Sequence, residues 1–470
     1  MKEEHILNRL KAEKVKFISF FFTDLLGKFH RITYSTEHLD IETFNSGIAF
    51  DGSSIISWKE IHHSDTLLSP DVDSMFMDPF TLEPCACFIC DVIDPETDSL
   101  YSRDPRSVAT NAENYLKASG IADTAFFGPE VEFFIFDDVQ FDVSHYGSFY
   151  RCDSEENPAN NSVKFNDRNN LGHRPSVKGG YFPAQPIDSL FDLRNEMCNA
   201  LDSVGIESLL HHHEVAASQV EIGFKFSTLK KSGDNIQKFK YVVRNVAASF
   251  GKSVTFMPKP IYKDNGSGMH THQSLWKAGK PTFFNEKGYA DLSEDALYYI
   301  GGILKHAKAI SAFSNPITNS YKRLVPGFEA PVKLAYSANN RSAAIRIPAT
   351  KSPNAKRIEA RFPDPSANSY LAFSAMMMAG LDGIRNKIDP GKPAHKDLYH
   401  LAAKESSKIP NISGSLCDAV TSLKKDHEFL LEGGVFTKDI IQAYVGIKEE
   451  DIKEFAAAPH PLEFVKYYSL

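Results

Sequence analysis

The chain has 470 residues, 42% hydrophobic and 24% charged, the composition of an ordinary water-soluble globular protein with room for two or three domains. A formal net charge of −8 and the lack of a concentrated basic patch exclude nucleic acid as the main partner. The apolar stretch from Val15 to Phe29 is broken by Thr23-Asp24 and Gly27-Lys28, too short to span a bilayer, and no secretory leader precedes it, so no membrane partner and a cytoplasmic address are expected.

Residues 1–14 read as a helix, followed by strand patterns at Val15–Phe22 and Phe29–Tyr34. Phe50-Asp51-Gly52-Ser53-Ser54 is a polar turn, and further strands are expected at Ser74–Met77 and Cys85–Val92. Cys85, Cys87 and Cys90 spell C-x-C-x-x-C, either half of a zinc site or an apolar strand using cysteine as a small hydrophobe. With no matching second cluster the strand is the better reading. Asp104-Pro105-Arg106 opens a helix that reaches Ser119. A boundary there divides the chain into a small β-rich unit, 1–104, and a large one, 105–470.

Segment 138–175 is polar and reads as a long surface excursion, a kind of loop that is often functional. Beyond it, helices are expected at Ser189–Val204, Gly233–Phe250, Ser293–Ser314 and Ser366–Asn386, with short strands between them. That alternation predicts an α+β fold with antiparallel sheet rather than a doubly wound parallel sheet. Neither G-x-x-x-x-G-K-[ST] nor G-x-G-x-x-G occurs, so any nucleotide is held in another way.

Glu130 and Glu132 sit inside the apolar run from Ala125 to Phe136. Residues two apart on a strand share a face, so both acids project together. Either this is a half-exposed edge strand, or a divalent cation compensates the pair and other segments supply further ligands. Glu214 and Glu221 form a second spaced pair behind the run His211-His212-His213, and a bend near Ala217-Ser218 or a helical turn would bring them together; the histidines are equally readable as packed or surface residues. Asn265-Gly266-Ser267-Gly268-Met269-His270-Thr271-His272 joins glycines that allow close backbone approach to two histidines on one strand face. Arg357, Glu359 and Arg361 share a face, either as a surface salt-bridge ladder or as the lining of a cleft for phosphate or carboxylate oxygens. Arg341 and Arg346 extend that positive lining, and Arg323 and Glu329 lie in a Pro-Gly loop that reads as a lid. Carboxylate-rich ligation favours Mg²⁺ or Mn²⁺, and a metal beside converging arginines is what transfer of a γ-phosphoryl group needs.

These segments together resemble bacterial type I glutamine synthetase. The resemblance rests on Phe50-Asp51-Gly52-Ser53-Ser54, Gly128-Pro129-Glu130-Val131-Glu132, Lys178-Gly179-Gly180-Tyr181-Phe182-Pro183 and His212-His213-Glu214-Val215-Ala216. It extends through Asn265 to His270, the loop from Asn315 to Pro331, and Arg357 to Asp364, all in family order. It implies an N-terminal β-grasp domain and a larger catalytic domain of the glutamine synthetase and guanido kinase type. The activity implied is ATP-dependent ligation of ammonium to the γ-carboxylate of L-glutamate through γ-glutamyl phosphate. The length and the polar excursion point to the subgroup that assembles as a dodecamer of two stacked hexamers, with sites shared between subunits.

By motif match, the resemblance implies two metals, one held by Glu132, Glu214 and Glu221 and the other by Glu130, His270 and Glu359. Asn265, Gly266, Arg323, Glu329, Arg341 and Arg361 would bind glutamate or its activated form. Phe226, His272, Gln273, Ser274, Arg341, Arg346 and Arg357 would line the ATP site. Asp51, from the adjacent subunit, would deprotonate ammonium, with Ser54, Tyr181, Glu214 and Glu329 around that cation; Asp51, Glu329, Arg341 and Arg361 form the catalytic set. Tyr399 aligns with a tyrosine that is adenylylated in many relatives, which would make an adenylyltransferase and PII-type proteins its partners. Its flank departs from the family pattern at His400 and Ala402-Ala403. Asn354, Leu209 and Asn339 also depart, standing where a lysine, an acid and an arginine are common, and bear on nucleotide binding. Two rival readings are a γ-glutamyl ligase using another amine and a non-catalytic relative. The Asp51 and Glu329 pair favours ammonium, and the retained ligands and arginines favour an enzyme.

Overall fold

The computed structural model describes residues 2–158 and 170–469. The first sheet is built from β1 (Phe17–Thr23), β2 (Phe29–Ser35), β3 (Ile48–Asp51), β4 (Asp65–Pro70), β5 (Phe76–Met77), β6 (Cys85–Asp94) and β7 (Ser99–Leu100). Its order is β2-β1-β6-β4-β3, with β5 and β7 against β6. β1 runs parallel to β6 and the other pairings are antiparallel. Cys85, Cys87 and Cys90 are all buried in β6, packed as small apolar groups. β3 is an edge strand, and Asp51 stands exposed at its end.

The helix Pro105–Ser119 starts and stops where its sequence dictates. The Asp104 carboxylate accepts from the backbone N–H groups of Arg106 and Ser107, proline fills the first turn, and Gly120 closes the helix at φ 69°. The second sheet follows, with β8 (Thr124–Phe136) at its centre. Between β8 and the next sheet strand lies an isolated hairpin, β9 (Asp138–Ser144) and β10 (Gly147–Asp153). The sheet continues with β11 (Ser208–His213), β12 (Gln219–Phe224), β13 (Ser227–Thr228), β14 (Ser253–Thr255), β15 (Met269–Lys277), β16 (Lys280–Pro281), β17 (Tyr336–Ala338), β18 (Ile345–Ile347) and β19 (Ile358–Ala360). Its order is β11-β12-β8-β15-β19-β18-β17, with β13 and β14 on β8 and β16 on β15. Only β17 and β18 pair in parallel, so the expected α+β class holds.

One face of the second sheet packs on long helices. Phe127 stacks on Phe373 of the helix Ser369–Asn386 at 5.1 Å, and Phe133 meets Phe239 of the helix Leu229–Ser249 edge-on at 5.9 Å. Strand alternation therefore drives Phe127, Val131 and Phe133 into the core and turns Glu130 and Glu132 to the other face. The helix expected from Gly233 begins at Leu229, because Leu229 is itself fully buried and anchors the first turn. The excursion at 138–175 opens as the β9–β10 hairpin, and its residues 159–169 lie outside the described residues. The helices Leu416–Lys425, Lys438–Ala457 and Pro461–Tyr467 complete the chain, and no helix among the described residues is long and apolar enough to cross a membrane.

Arg106 ties the two sheets together. Its guanidinium, 1% exposed, donates to Asp234 at 2.9 Å and 3.1 Å, to Asp71 at 2.6 Å and to Asp91. Asp71 and Asp91 belong to the first sheet and its turns, while Asp234 lies on the helix Leu229–Ser249 and also accepts from Tyr370. Replacing Arg106 with methionine leaves the buried Asp234 carboxylate without its cation. The expected cost is about 3–5 kcal/mol, read as a large fall in the denaturant midpoint. Asp71→Asn, at a partner that solvent still reaches, costs much less.

Candidate active site

The register of the second sheet assembles the site. Glu132 lies opposite Glu221 across β8 and β12, Glu130 opposite His270 across β8 and β15, and His272 opposite Glu359 across β15 and β19. Arg346 in turn lies opposite Glu359 across β18 and β19. Residues directly opposite on antiparallel strands share a face with Cβ atoms about 4.5–5.5 Å apart, so one register places these seven acids and bases on a single face of the sheet.

At one end, His212, Glu214 and Glu221 present ligand atoms that all lie within 4.8 Å of one another. His212 stands 3.6 Å from Glu214 and 3.7 Å from Glu221. Glu214 and Glu221 meet because β11 and β12 form a tight hairpin whose turn carries Ser218 at φ 65°, the bend expected near Ala217-Ser218. Burial, then the neighbouring Glu221 charge, pushes the Glu132 carboxyl up to about 7. Burial, then the charges of Glu132 and Glu221, pushes Glu214 up to about 8. Three carboxylates thus converge and repel, which is the arrangement a divalent cation relieves. His212 belongs with them and was missing from the expected set; it alternates along β11 with His211 and His213, which turn to the other face, His213 into full burial.

At the other end Glu130, His272 and Glu359 converge within 4.8 Å. Arg357 Nε donates to His272 Nδ1 at 3.1 Å, so Nε2 carries the ring proton and donates to Glu130 at 2.8 Å. His270 sits between the two ends, 3.5 Å from Glu130, 3.7 Å from Glu132 and 3.8 Å from Glu359. Burial and then the Arg361 charge lower its pKa, which keeps the ring neutral, as a ligand must be. Burial opposes the Glu130 charge, but hydrogen bonds from His270 and His272 outweigh it and hold the carboxyl low. Glu359 is fully buried and accepts from Arg346 and Arg361 at 2.6 Å each.

The remaining expected residues divide by strand face and by loop. Asn265 is buried with an amide oxygen that has no partner among the described residues. Gly268 donates its N–H to Glu132 at 2.9 Å, and a Cβ there would lie 2.6 Å from Arg323 Nη2 and 2.9 Å from His270 Nε2, so any larger residue displaces those two side chains. Gly266 is equally crowded by the Pro258 carbonyl. The Arg323 guanidinium is occupied by the carbonyls of Arg361, Phe362 and Pro363, so it braces the strand after β19. Phe226 is exposed beside Phe126 at 5.2 Å, and Ser274 accepts from Trp276. Gln273 departs from expectation. Its side chain turns to the opposite face of β15, accepting from Tyr299 and donating to Met376 in the core, because it alternates with His272 and Ser274.

Tyr181 stacks on Phe182 at 4.2 Å and lies edge-on to His212 at 6.0 Å. Glu329 is exposed at φ 57° in a loop held by Lys178, whose ammonium donates to the Gly327 carbonyl at 2.8 Å. Lys178 and Lys259 face the Phe328 ring at 4.3 Å and 4.1 Å. Arg341 is exposed nearby, and Tyr399 donates its hydroxyl to the Arg341 carbonyl at 3.3 Å. Asp51 accepts from Ser53 and Ser54 within its own turn, which holds its carboxyl below the usual range. Asn354 and Leu209 are exposed, and Asn339 occupies φ 60°, a left-handed position that asparagine tolerates better than arginine.

Residues 102–467 match the family model described as glutamine synthetase, catalytic domain, and residues 14–95 match glutamine synthetase, beta-Grasp domain. The glutamine synthetase of Azospirillum brasilense is 55% identical over 465 residues, 99% of each chain. A 3-hydroxylaminophenol mutase of Cupriavidus pinatubonensis is 55% identical over 466 residues, covering 99% of this chain and 98% of that one. The structure of Plasmodium falciparum glutamine synthetase superposes with a TM-score of 0.91 at 29% identity, over 99% and 98% of the two chains.

Glu132 and Glu214 hold protons at neutral pH that the unfolded chain does not, since their ordinary value is 4.5. The metal-free protein therefore loses stability as pH rises from about 4.5 to about 8. A divalent cation must displace those protons, so Mn²⁺ binding releases them at pH 6.5 and releases few at pH 9. Calorimetry in buffers of different ionisation heat measures this, and equal release at both pH values would refute the clustering.

Proposed function

We propose that this chain, which belongs to the glutamine synthetase family and is an ATP-dependent enzyme of glutamine synthesis, works through the row of groups on the second sheet. The observation that carries the reading is the register that sets two acid clusters side by side with Arg346, Arg357 and Arg361 on one strand face. The family uses ATP and divalent metal; the oxygen-rich donor sets with one neutral histidine suit Mg²⁺ or Mn²⁺. Glu132, Glu214 and Glu221 would hold one ion and Glu130, His270 and Glu359 a second. Bound there, the ions neutralise charge on the transferring phosphoryl group.

Asn265 and the backbone at Gly266 orient glutamate, with Arg341 and Arg361 on its carboxylates and Arg323 bracing the pocket wall. Phe226 and Ser274 line the nucleotide side with His272, and Arg346 and Arg357 face the phosphates. The γ-carboxylate attacks the γ-phosphorus of ATP, ADP leaves, and γ-glutamyl phosphate forms, the arginines stabilising the growing charge. Asp51 of a neighbouring subunit then takes a proton from ammonium held by Ser54, Tyr181, Glu214 and Glu329. Ammonia attacks the acyl carbon and phosphate departs. The loop carrying Glu329 keeps water from the acyl phosphate meanwhile.

Members of this family assemble, and a dodecamer of two stacked hexamers is the form we propose. Asp51 is exposed on an edge strand and bonds within its own turn, as a group serving a neighbour's site would. Phe141, Val143 and Tyr146 of the hairpin and Phe464, Val465 and Tyr468 near the C-terminus leave apolar surface for such contacts. Residues 1–104 and 105–470 would be its two domains, and the cytoplasm its place. Adenylylation of Tyr399 by an adenylyltransferase under PII-type control requires the segment around it to leave the Arg341 carbonyl.

ATP-dependent amide formation with ammonium should far exceed that with any alkylamine in a substrate panel, and should need Mg²⁺ or Mn²⁺. Asp51→Asn should cut kcat/KM for ammonium by about 10²–10⁴-fold at pH 7. The loss should shrink as pH approaches the pKa of ammonium, where free ammonia no longer needs a base. A deficit constant with pH would remove Asp51 from the proton transfer. Mass photometry showing particles smaller than twelve subunits would overturn the assembly.

A further inference from the structure

Glu156, on the long excursion, is fully buried and bonded on both oxygens. Oε1 accepts from the Ser189 N–H at 3.1 Å and hydroxyl at 2.8 Å. Oε2 accepts from His213 Nε2 at 2.8 Å and from the Ser218 N–H at 2.8 Å. The other His213 nitrogen, Nδ1, lies 2.7 Å from both the Gly180 and the Glu214 carbonyls. Acceptors thus surround both ring nitrogens, and each donates. Gly180 seats directly against this histidine: a Cβ there would lie 2.6 Å from the Glu214 carbonyl and 2.8 Å from His213 Cε1. Ser218 occupies the left-handed φ of the turn that brings Glu214 to Glu221.

From this geometry we infer that Glu156 is a positioning residue of the active site, reaching it through His213 and Ser218. One carboxylate fixes the backbone of Glu214, the strained turn before Glu221, and the segment that presents Tyr181. Four donors on Ser189, His213 and Ser218 converge on this one carboxylate, so its effect lies in the placement of those groups. The inference rests on the reading that Glu214 and Glu221 hold a cation and Tyr181 faces ammonium.

The test uses the assembled full-length enzyme carrying Glu156→Gln, which sets an amide against four donors, and Glu156→Ala. Mn²⁺ binding to substrate-free protein, followed by electron paramagnetic resonance, should weaken about tenfold or more. KM for ammonium should rise by a similar factor while KM for ATP stays within about twofold, as expected when an outer partner of the ligands is lost. A lower thermal midpoint with unchanged Mn²⁺ affinity and ammonium KM in the folded fraction would reduce Glu156 to a structural role and overturn the inference. Where Glu156→Ala does not fold, Glu156→Asp, which keeps the charge and shortens the reach, is judged by the same split. Glu214→Ala separates the two levels. If it leaves Mn²⁺ binding intact, the cation reading fails and the inference with it; if it weakens binding and the Glu156 variants do not, the inference alone fails.

Discussion

Everything at this site depends on one strand having two faces. β8 must put Val131 and Phe133 against the helices, and its two-residue period then leaves Glu130 and Glu132 side by side on the opposite face. Such a pair is unfavourable unless each acid is compensated separately. The flanking strands do this with different chemistry. β15 offers imidazoles to Glu130, whereas β12 sets Glu221 opposite Glu132 and adds to the negative charge. Glu130 is therefore met directly by imidazole groups, while Glu132, Glu214 and Glu221, with His212 beside them, repel one another enough to draw Glu132 and Glu214 toward protons or a cation.

The guanidinium groups follow the same logic of separate duties. Glu359 is held between Arg346 and Arg361, which fixes a buried carboxylate without neutralising its neighbours. Arg357 sets the His272 tautomer, and Arg323 is committed to main-chain carbonyls. Arginines that look alike in sequence thus divide into Arg323, spent on main-chain carbonyls, and Arg346 and Arg361, each bound to Glu359 through part of its guanidinium with an Nε that has no partner among the described residues. Around this rigid floor the covering segments are attached more lightly. The Glu329 loop is pinned by an ammonium on a carbonyl and by two lysines on one phenyl ring. Contacts of that sort are individually modest, so the loop is held by several polar and cation–π contacts rather than by core packing.

Motifs and strand periodicity made much of this legible beforehand. The acid pair, the histidine pair and the Arg-Glu-Arg strand could each be placed on a face from alternation alone, whereas Glu214 and Glu221 needed either a bend or a helical turn to meet, and the structure supplies the bend. Gln273 shows what motif proximity hides: it sits between two site residues in sequence and therefore points away from the site in space. His212 shows the converse, since three consecutive histidines give no hint of which one faces the acids until the partner strand is known. Glu156 was invisible in a polar stretch whose composition suggested only surface. Its burial follows from contacts with Ser189, His213 and Ser218, far away in the chain.

The sequence by itself determined the α+β class, the family, the positions of most helices and which strand residues share a face. These are local properties, set by side-chain period, capping residues and turn chemistry within a few neighbours. The tertiary structure alone decided which faces meet and in what register, and so which acids repel one another and which have imidazole or guanidinium partners. It also decided which arginines are occupied and that a buried glutamate from the excursion stands behind the site. Electrostatic balance at a buried group depends on everything within a few ångströms, and a chain brings those neighbours together only when it folds.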